Sequence, residues 1–183
     1  MALTESNMLP LGTSAPPFFL KDTVSGNYLS LDDLKSDRAT VIMFICNHCP
    51  YVIHVNQEMV RIANEFRNKG VSFIAICSND VENYPDDDPD KMRLVAKVLK
   101  YPFPYLYDKR QEVAKAYDAA CTPDFYVFDG DMKLTYRGRM DESTPGNGKP
   151  NNGIELRAAI DATLEGKTID PQYPSMGCNI KWK

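Results

Sequence analysis

From Val41 to Ile45 the chain is continuously apolar, the pattern of a strand covered on both faces, and Val71 to Ile76 repeats it. Both segments are expected to be central parallel strands. Between them Val55, Met59, Ile62, Ala63 and Phe66 recur at helical spacing, and Gly70 stands where a helix-terminating glycine belongs. Strand, helix and strand within about 35 residues make a βαβ unit with a right-handed crossover. Upstream, Phe18-Phe19-Leu20 and Tyr28-Leu29-Ser30-Leu31 flank Ser25-Gly26-Asn27 as a small hairpin. Downstream, Asp88 suits the N-cap and Pro89 the first position of a helix reaching about Lys100, with Met92, Val95, Ala96 and Leu99 as its buried stripe.

Further along come a short strand, Phe103 to Tyr107, and a short helix, Gln111 to Tyr117. Phe125 to Phe128 and Met132 to Arg139 then flank Asp129-Gly130-Asp131 as an antiparallel hairpin. A flexible stretch from Asp141 to Gly153 leads into a last helix carrying Leu156, Ile160 and Leu164, with Asn152 and Glu155 spaced as a capping box. The pattern predicts an α/β protein with a central mixed sheet flanked by helices. At 183 residues a single domain, 1–183, is expected. Residues 1–17 read as an extended lead-in and 165–183 as a C-terminal tail.

Charge and composition narrow the function. The net charge of −4 is spread along the chain with no basic block, which excludes a nucleic-acid partner. No apolar run approaches the ~18 residues of a membrane span, and Met1 to Pro10 has neither the positive charge nor the apolar stretch of a signal peptide. A cytoplasmic location is expected, where cysteines stay reduced. Five cysteines, Cys46, Cys49, Cys77, Cys121 and Cys178, form an odd and sparse set that suits one reactive pair plus bystanders better than a disulfide scaffold.

The reactive pair is Cys46-Asn47-His48-Cys49, where the first buried strand gives way to the first helix and backbone N–H groups point outward unpaired. Lowering a thiol from about 8.5 to about 6 requires about 3.4 kcal/mol. The helix field supplies at most ~2 kcal/mol, so a charge-assisted hydrogen bond of ~1.5–3 kcal/mol must add to it. The spacing favours Cys46 as attacking sulfur and Cys49 as resolving sulfur, giving an intramolecular disulfide. Pro50 opens the alternative that the helix starts at Cys49 with proline in its first turn, which would give Cys49 more of the helix field and reverse the order. His48, between the sulfurs, would favour the thiolate. Thr122-Pro123 ahead of a sheet hairpin is what a thioredoxin fold places beside its cysteines, a cis bend leaving the Thr122 backbone open to an incoming extended peptide.

Seven blocks carry a family resemblance: Cys46 to Val52, Ser78-Asn79-Asp80, Tyr84 to Asp87, Phe103 to Asp108, Cys121 to Phe125, Tyr136 to Arg139 and Gly177 to Trp182. Over nearly its whole length the chain resembles thioredoxin-like redoxins of the peroxiredoxin-like branch of the alkyl hydroperoxide reductase/thiol-specific antioxidant superfamily. The resemblance implies a thioredoxin fold, a Cys46/Cys49 dithiol and cis-Pro123 opposite, with no cofactor beyond the redox-active disulfide. It implies a disulfide or peroxide substrate and a thiol reductant such as thioredoxin or glutathione. Peroxidases of this superfamily carry Pro-x-x-x-Thr/Ser-x-x-Cys. Counting back from Cys46 gives Met43 and Ala39, and from Cys49 gives Cys46 and Ile42, so neither cysteine has that hydroxyl or proline.

The expected activity is therefore thiol–disulfide oxidoreduction, with thiol peroxidase as the alternative and Cu or Zn binding through Cys46, Cys49, His48 or His54 and Cys121 as a second. Thr122 and Pro123 are the expected substrate-binding residues, and His48 and Cys121 auxiliary ones. Cys77 reads as core, Cys178 as structural although its tail could fold over the site, and His54 as a surface or hydrogen-bond-satisfied histidine. Asp86 to Asp90 lacks the glycine and distal glutamate of a calcium loop, so it reads as a loop plus helix cap.

Overall fold

The computed structural model describes residues 3–183, so the first two residues of the lead-in lie outside the described residues. In chain order the elements are β1 (Leu3–Glu5), β2 (Phe19–Asp22), β3 (Tyr28–Ser30), α1 (Leu31–Leu34), β4 (Ala39–Phe44), α2 (Pro50–Arg67) and β5 (Val71–Cys77). There follow α3 (Pro89–Val98), β6 (Tyr105–Tyr107), α4 (Glu112–Ala116), β7 (Cys121–Thr122), β8 (Asp124–Asp129), β9 (Leu134–Gly138), α5 (Ile154–Leu164) and β10 (Met176–Asn179). Seven strands form the main sheet in the order β3-β2-β6-β5-β4-β8-β9. Its centre is parallel, with Ala39 opposite Val71 and Phe44 opposite Ile76, while β8 runs antiparallel to β4 and β9 antiparallel to β8.

The unbroken apolar run of β4 has the expected cause. Val41, Met43 and Ile45 face a core shared with α2, α3 and α5, whereas Ile42 and Phe44 face a second core shared with α1 and α4. A strand sealed on both faces cannot alternate with polar residues. The stripe on α2 is buried as its spacing requires, and Asp88 caps α3 by accepting the Asp90 N–H at 2.9 Å. On α3, Met92 and Ala96 are buried while Val95 and Leu99 are half-buried, so that stripe is narrower than its pattern suggests.

Three expectations change. The capping box on α5 does not form: Gly153 is the N-cap in the left-handed region, and Glu155 instead holds Arg139 through both carboxylate oxygens. The stretch before α5 is tied down by Asp141, whose carboxylate accepts the N–H groups of Ser143, Asn152 and Gly153, the first two at 2.8 Å. The C-terminal segment is more than a tail, because β10 is the middle strand of a second sheet, β1-β10-β7. In it Cys178 lies opposite Leu3 on one side and Thr122 on the other. Among the described residues no helix is long and apolar enough to cross a membrane.

Candidate functional site

The site forms where β4 ends, Ile45 still bonded to Ile76, and α2 begins. Cys49 is the N-cap of α2 and Pro50 fills its first turn, where its missing N–H costs nothing. This is the second of the two arrangements the proline allowed. Both cysteines are enclosed, Cys46 being 3% exposed and Cys49 0%.

The turn between them is held by Asp87, itself fully enclosed. Its Oδ1 accepts the Asn47 N–H at 2.7 Å, and its Oδ2 lies 2.7 Å from the Asn79 amide nitrogen and 2.8 Å from His48 Nδ1. The Asn47 side chain donates to the Asp86 carbonyl and accepts the Tyr105 hydroxyl. His48 stacks on Tyr84 with ring centroids 5.9 Å apart. The Asp87 carboxylate raises the His48 pKa against the opposing effect of burial, placing a cation-capable ring near Cys46.

Across the cleft the Thr122–Pro123 bond is cis. Thr122 touches both sulfurs: its Oγ1 lies 3.4 Å from Cys46 Sγ, and its carbonyl 3.3 Å from Cys49 Sγ. The Cys46 thiol, turned toward Cys49, holds the Cys49 sulfur down at about 5 despite burial. The Cys178 side chain and the amides of Val52 and Cys178 add to this. The same contact, with burial, pushes Cys46 well above the ordinary thiol range. The negative charge of the pair therefore resides at Cys49, and when the proton sits there instead, its S–H points to the Thr122 carbonyl.

The main-chain edge at Thr122 that the sequence left open for a peptide is paired with β10. Gly177 makes that pairing possible: a Cβ there would sit 2.0 Å from the Thr122 carbonyl oxygen and 3.3 Å from Pro123 Cδ. Cys121 follows the same strand, with its Sγ 3.9 Å from the carbonyls of Pro123 and Ser175 and its pKa raised by burial. Cys77 is sealed in the core and likewise raised. His54 bonds Ser143 Oγ at 2.6 Å. Among the described residues the group whose donor atoms converge as metal ligands would is Cys46, His48 and Asp87, all within 4.8 Å. The Asp87 oxygens already accept protein donors, and His54 and Cys121 are not in the group.

These contacts bring Cys46, Cys49, His48 and Thr122 together, with Pro123 next to Thr122 in the chain. Asp87 and Cys178 belong to the same group, although neither stood out as a site residue in the sequence. Asp87 was one acid in a run that looked like a loop, and its role depends on a register with the Cys46–Cys49 turn that no local signal encodes. Cys178 was visible as a cysteine in a matching block, but its partner was not.

The AhpC/TSA family model matches residues 11–137. The chain belongs to the AhpC/TSA family. No curated protein matches this redoxin. An uncharacterized conserved protein of Geobacillus kaustophilus is 62% identical with a TM-score of 0.98, covering 100% of this chain and 97% of its own. A hypothetical protein of Sinorhizobium meliloti is 43% identical with a TM-score of 0.95 over 98% of each chain. The thioredoxin domain of a thiol-disulfide oxidoreductase from Bacteroides vulgatus shares the fold at 17% identity, with a TM-score of 0.63 over 84% of this redoxin and 99% of that chain. The mixed sheet, the flanking helices and these neighbours make the redoxin thioredoxin-like, and its family is one of oxidoreductases and peroxidases.

Proposed function

We propose that this redoxin is a thiol–disulfide oxidoreductase that cycles between a Cys46/Cys49 dithiol and the corresponding disulfide. The observation that carries this reading is the placement of both sulfurs at the start of α2 against Thr122, whose hydroxyl lies 3.4 Å from Cys46 Sγ and whose carbonyl lies 3.3 Å from Cys49 Sγ. Cys49, which carries the negative charge of the pair, attacks one substrate sulfur, and the other leaves as a thiolate that takes up a proton. Cys46 next gives up its proton and attacks Cys49 Sγ, forming the intramolecular disulfide and releasing the second substrate thiol. A partner thiol system, thioredoxin or glutathione, returns the dithiol. A thiolate this stabilised favours the reduced form, making the couple comparatively oxidising.

Peroxide reduction is supported as a second reading by one contact. The Thr122 hydroxyl, 3.4 Å from Cys46 Sγ, supplies from across the cleft the group that the sequence lacks three residues before the cysteine. Turnover of a small disulfide and of hydrogen peroxide by wild type, Cys46→Ser and Cys49→Ser separates the two. Disulfide turnover lost in both variants supports the oxidoreductase; peroxide consumption surviving in Cys49→Ser supports the peroxidase. Iodoacetamide should alkylate wild type with a midpoint near pH 5, and Cys46→Ser should move that midpoint upward, because its thiol is the largest cause of the low value.

A further inference from the structure

Resting on the dithiol reading, we propose that Cys178 is a third redox sulfur and that β10 is a built-in substrate strand, to which the disulfide first made between Cys46 and Cys49 is passed. The strand pairing at Thr122, the close approach at Gly177 and the reach of Cys178 to Cys49 point the same way. β10 occupies the strand position beside Thr122 where an extended substrate would pair, and the residue it sets opposite Thr122 is a cysteine. Both the side chain and the N–H of that cysteine reach Cys49 rather than a distant part of the core. Gly177 brings the strand in so closely that no side chain fits between it and the Thr122 carbonyl, so the approach is built into the sequence.

The exchange needs no oxidant beyond the substrate disulfide. The Cys178 thiol loses its proton and attacks Cys49 Sγ along the line of the Cys46–Cys49 bond. The Cys49–Cys178 bond forms as the Cys46–Cys49 bond breaks, and Cys46 leaves as a thiolate that takes up the released proton. One disulfide and one thiol exist before and after, so the oxidation level is unchanged. While the dithiol is reduced, burial and the Cys49 anion push the Cys178 thiol up to about 12 and keep it unreactive. Oxidation removes that anion, so Cys178 becomes a better nucleophile when there is a disulfide to attack. The product moves one end of the disulfide from Cys46 onto a strand held to β7 by two residue pairs, where a reducing thiol meets a strand it can displace.

The test is a disulfide map of the full-length reduced protein oxidised with one equivalent of 5,5′-dithiobis(2-nitrobenzoate), acid-quenched, alkylated and digested with trypsin. A Cys46–Cys49 disulfide lies within the peptide 39–61, whereas an exchanged disulfide joins 39–61 to 168–181. Wild type should show both forms, with the cross-linked pair at least one part in ten. Cys46→Ser should release two aryl thiolates per chain and give the cross-link alone. Cys178→Ser should retain the internal disulfide and lose the cross-link. A wild-type map containing the internal disulfide and no cross-link overturns the proposal and leaves the dithiol reading intact, as does a Cys46→Ser map in which 39–61 is joined to 116–133, the peptide of Cys121, in place of 168–181. A wild-type map with no internal disulfide in any form overturns the dithiol reading itself.

Discussion

At the scale of single residues, Asp87 organises the site more than either cysteine does, because one enclosed carboxylate holds Asn47, His48 and Asn79 together. Asp87→Asn removes the charge that faces His48 and cannot accept both the Asn47 and Asn79 donors as the carboxylate does, a change costing about 3 kcal/mol. Denaturant unfolding should show that loss. The sign of its pH dependence follows from His48, whose folded pKa is raised above its unfolded value. The stability it contributes is fully present below about pH 6.5 and is lost as pH rises through the folded value. The gap between wild type and Asp87→Asn should therefore be wider at pH 5.5 than at pH 9, and a gap independent of pH would mean that Asp87 does not stabilise the fold through His48. Cys49 acts in the opposite sense: its depressed value contributes stability to the reduced protein above the ordinary thiol range, lost as pH falls through about 5.

Elements explain which parts of the molecule could be read from the chain and which could not. β4, β5 and α2 announce themselves because each is sealed by its neighbours and so carries a continuous or 3.6-residue apolar signal. The Cys46–Cys49 turn and Thr122–Pro123 were legible as chemistry at the ends of those elements. β1 and β10 were not, since strands of three and four residues with one exposed flank leave too few positions for a pattern. The α5 cap departs from its sequence pattern because Glu155 has a stronger partner in Arg139 than any backbone N–H, a choice made by tertiary contact. β10 also gives the element-level prediction. Gly177→Ala must move either β10 or the Thr122 loop, a strain of about 1–3 kcal/mol. It should lower thermal stability and speed alkylation of the Cys46/Cys49 pair; unchanged rates on both counts would show that β10 does not cover the site.

Considered whole, the molecule places an ion pair behind the cleft. Asp124, next to Pro123, meets Arg137 at 3.0 Å with both side chains 0% exposed, and the guanidinium lies over the Tyr126 ring. Burial raises Asp124 to about 6 in spite of the arginine. Arg137→Met would strand that carboxylate and should cost about 3–5 kcal/mol. The loss should grow from pH 4 to pH 7, because a carboxyl held protonated by the fold resists the ionisation that rising pH demands. Equal losses at both ends of that range would mean the arginine acts by packing alone.

One row of the small sheet runs Leu3, Cys178, Thr122. A chemical event at the central member of that row tugs on both flanks, and short strands with few pairings are the first to open. Deuterium uptake at the amides of Leu3 to Glu5, far along the chain from either cysteine of the dithiol, thus becomes a remote gauge of the sulfur chemistry.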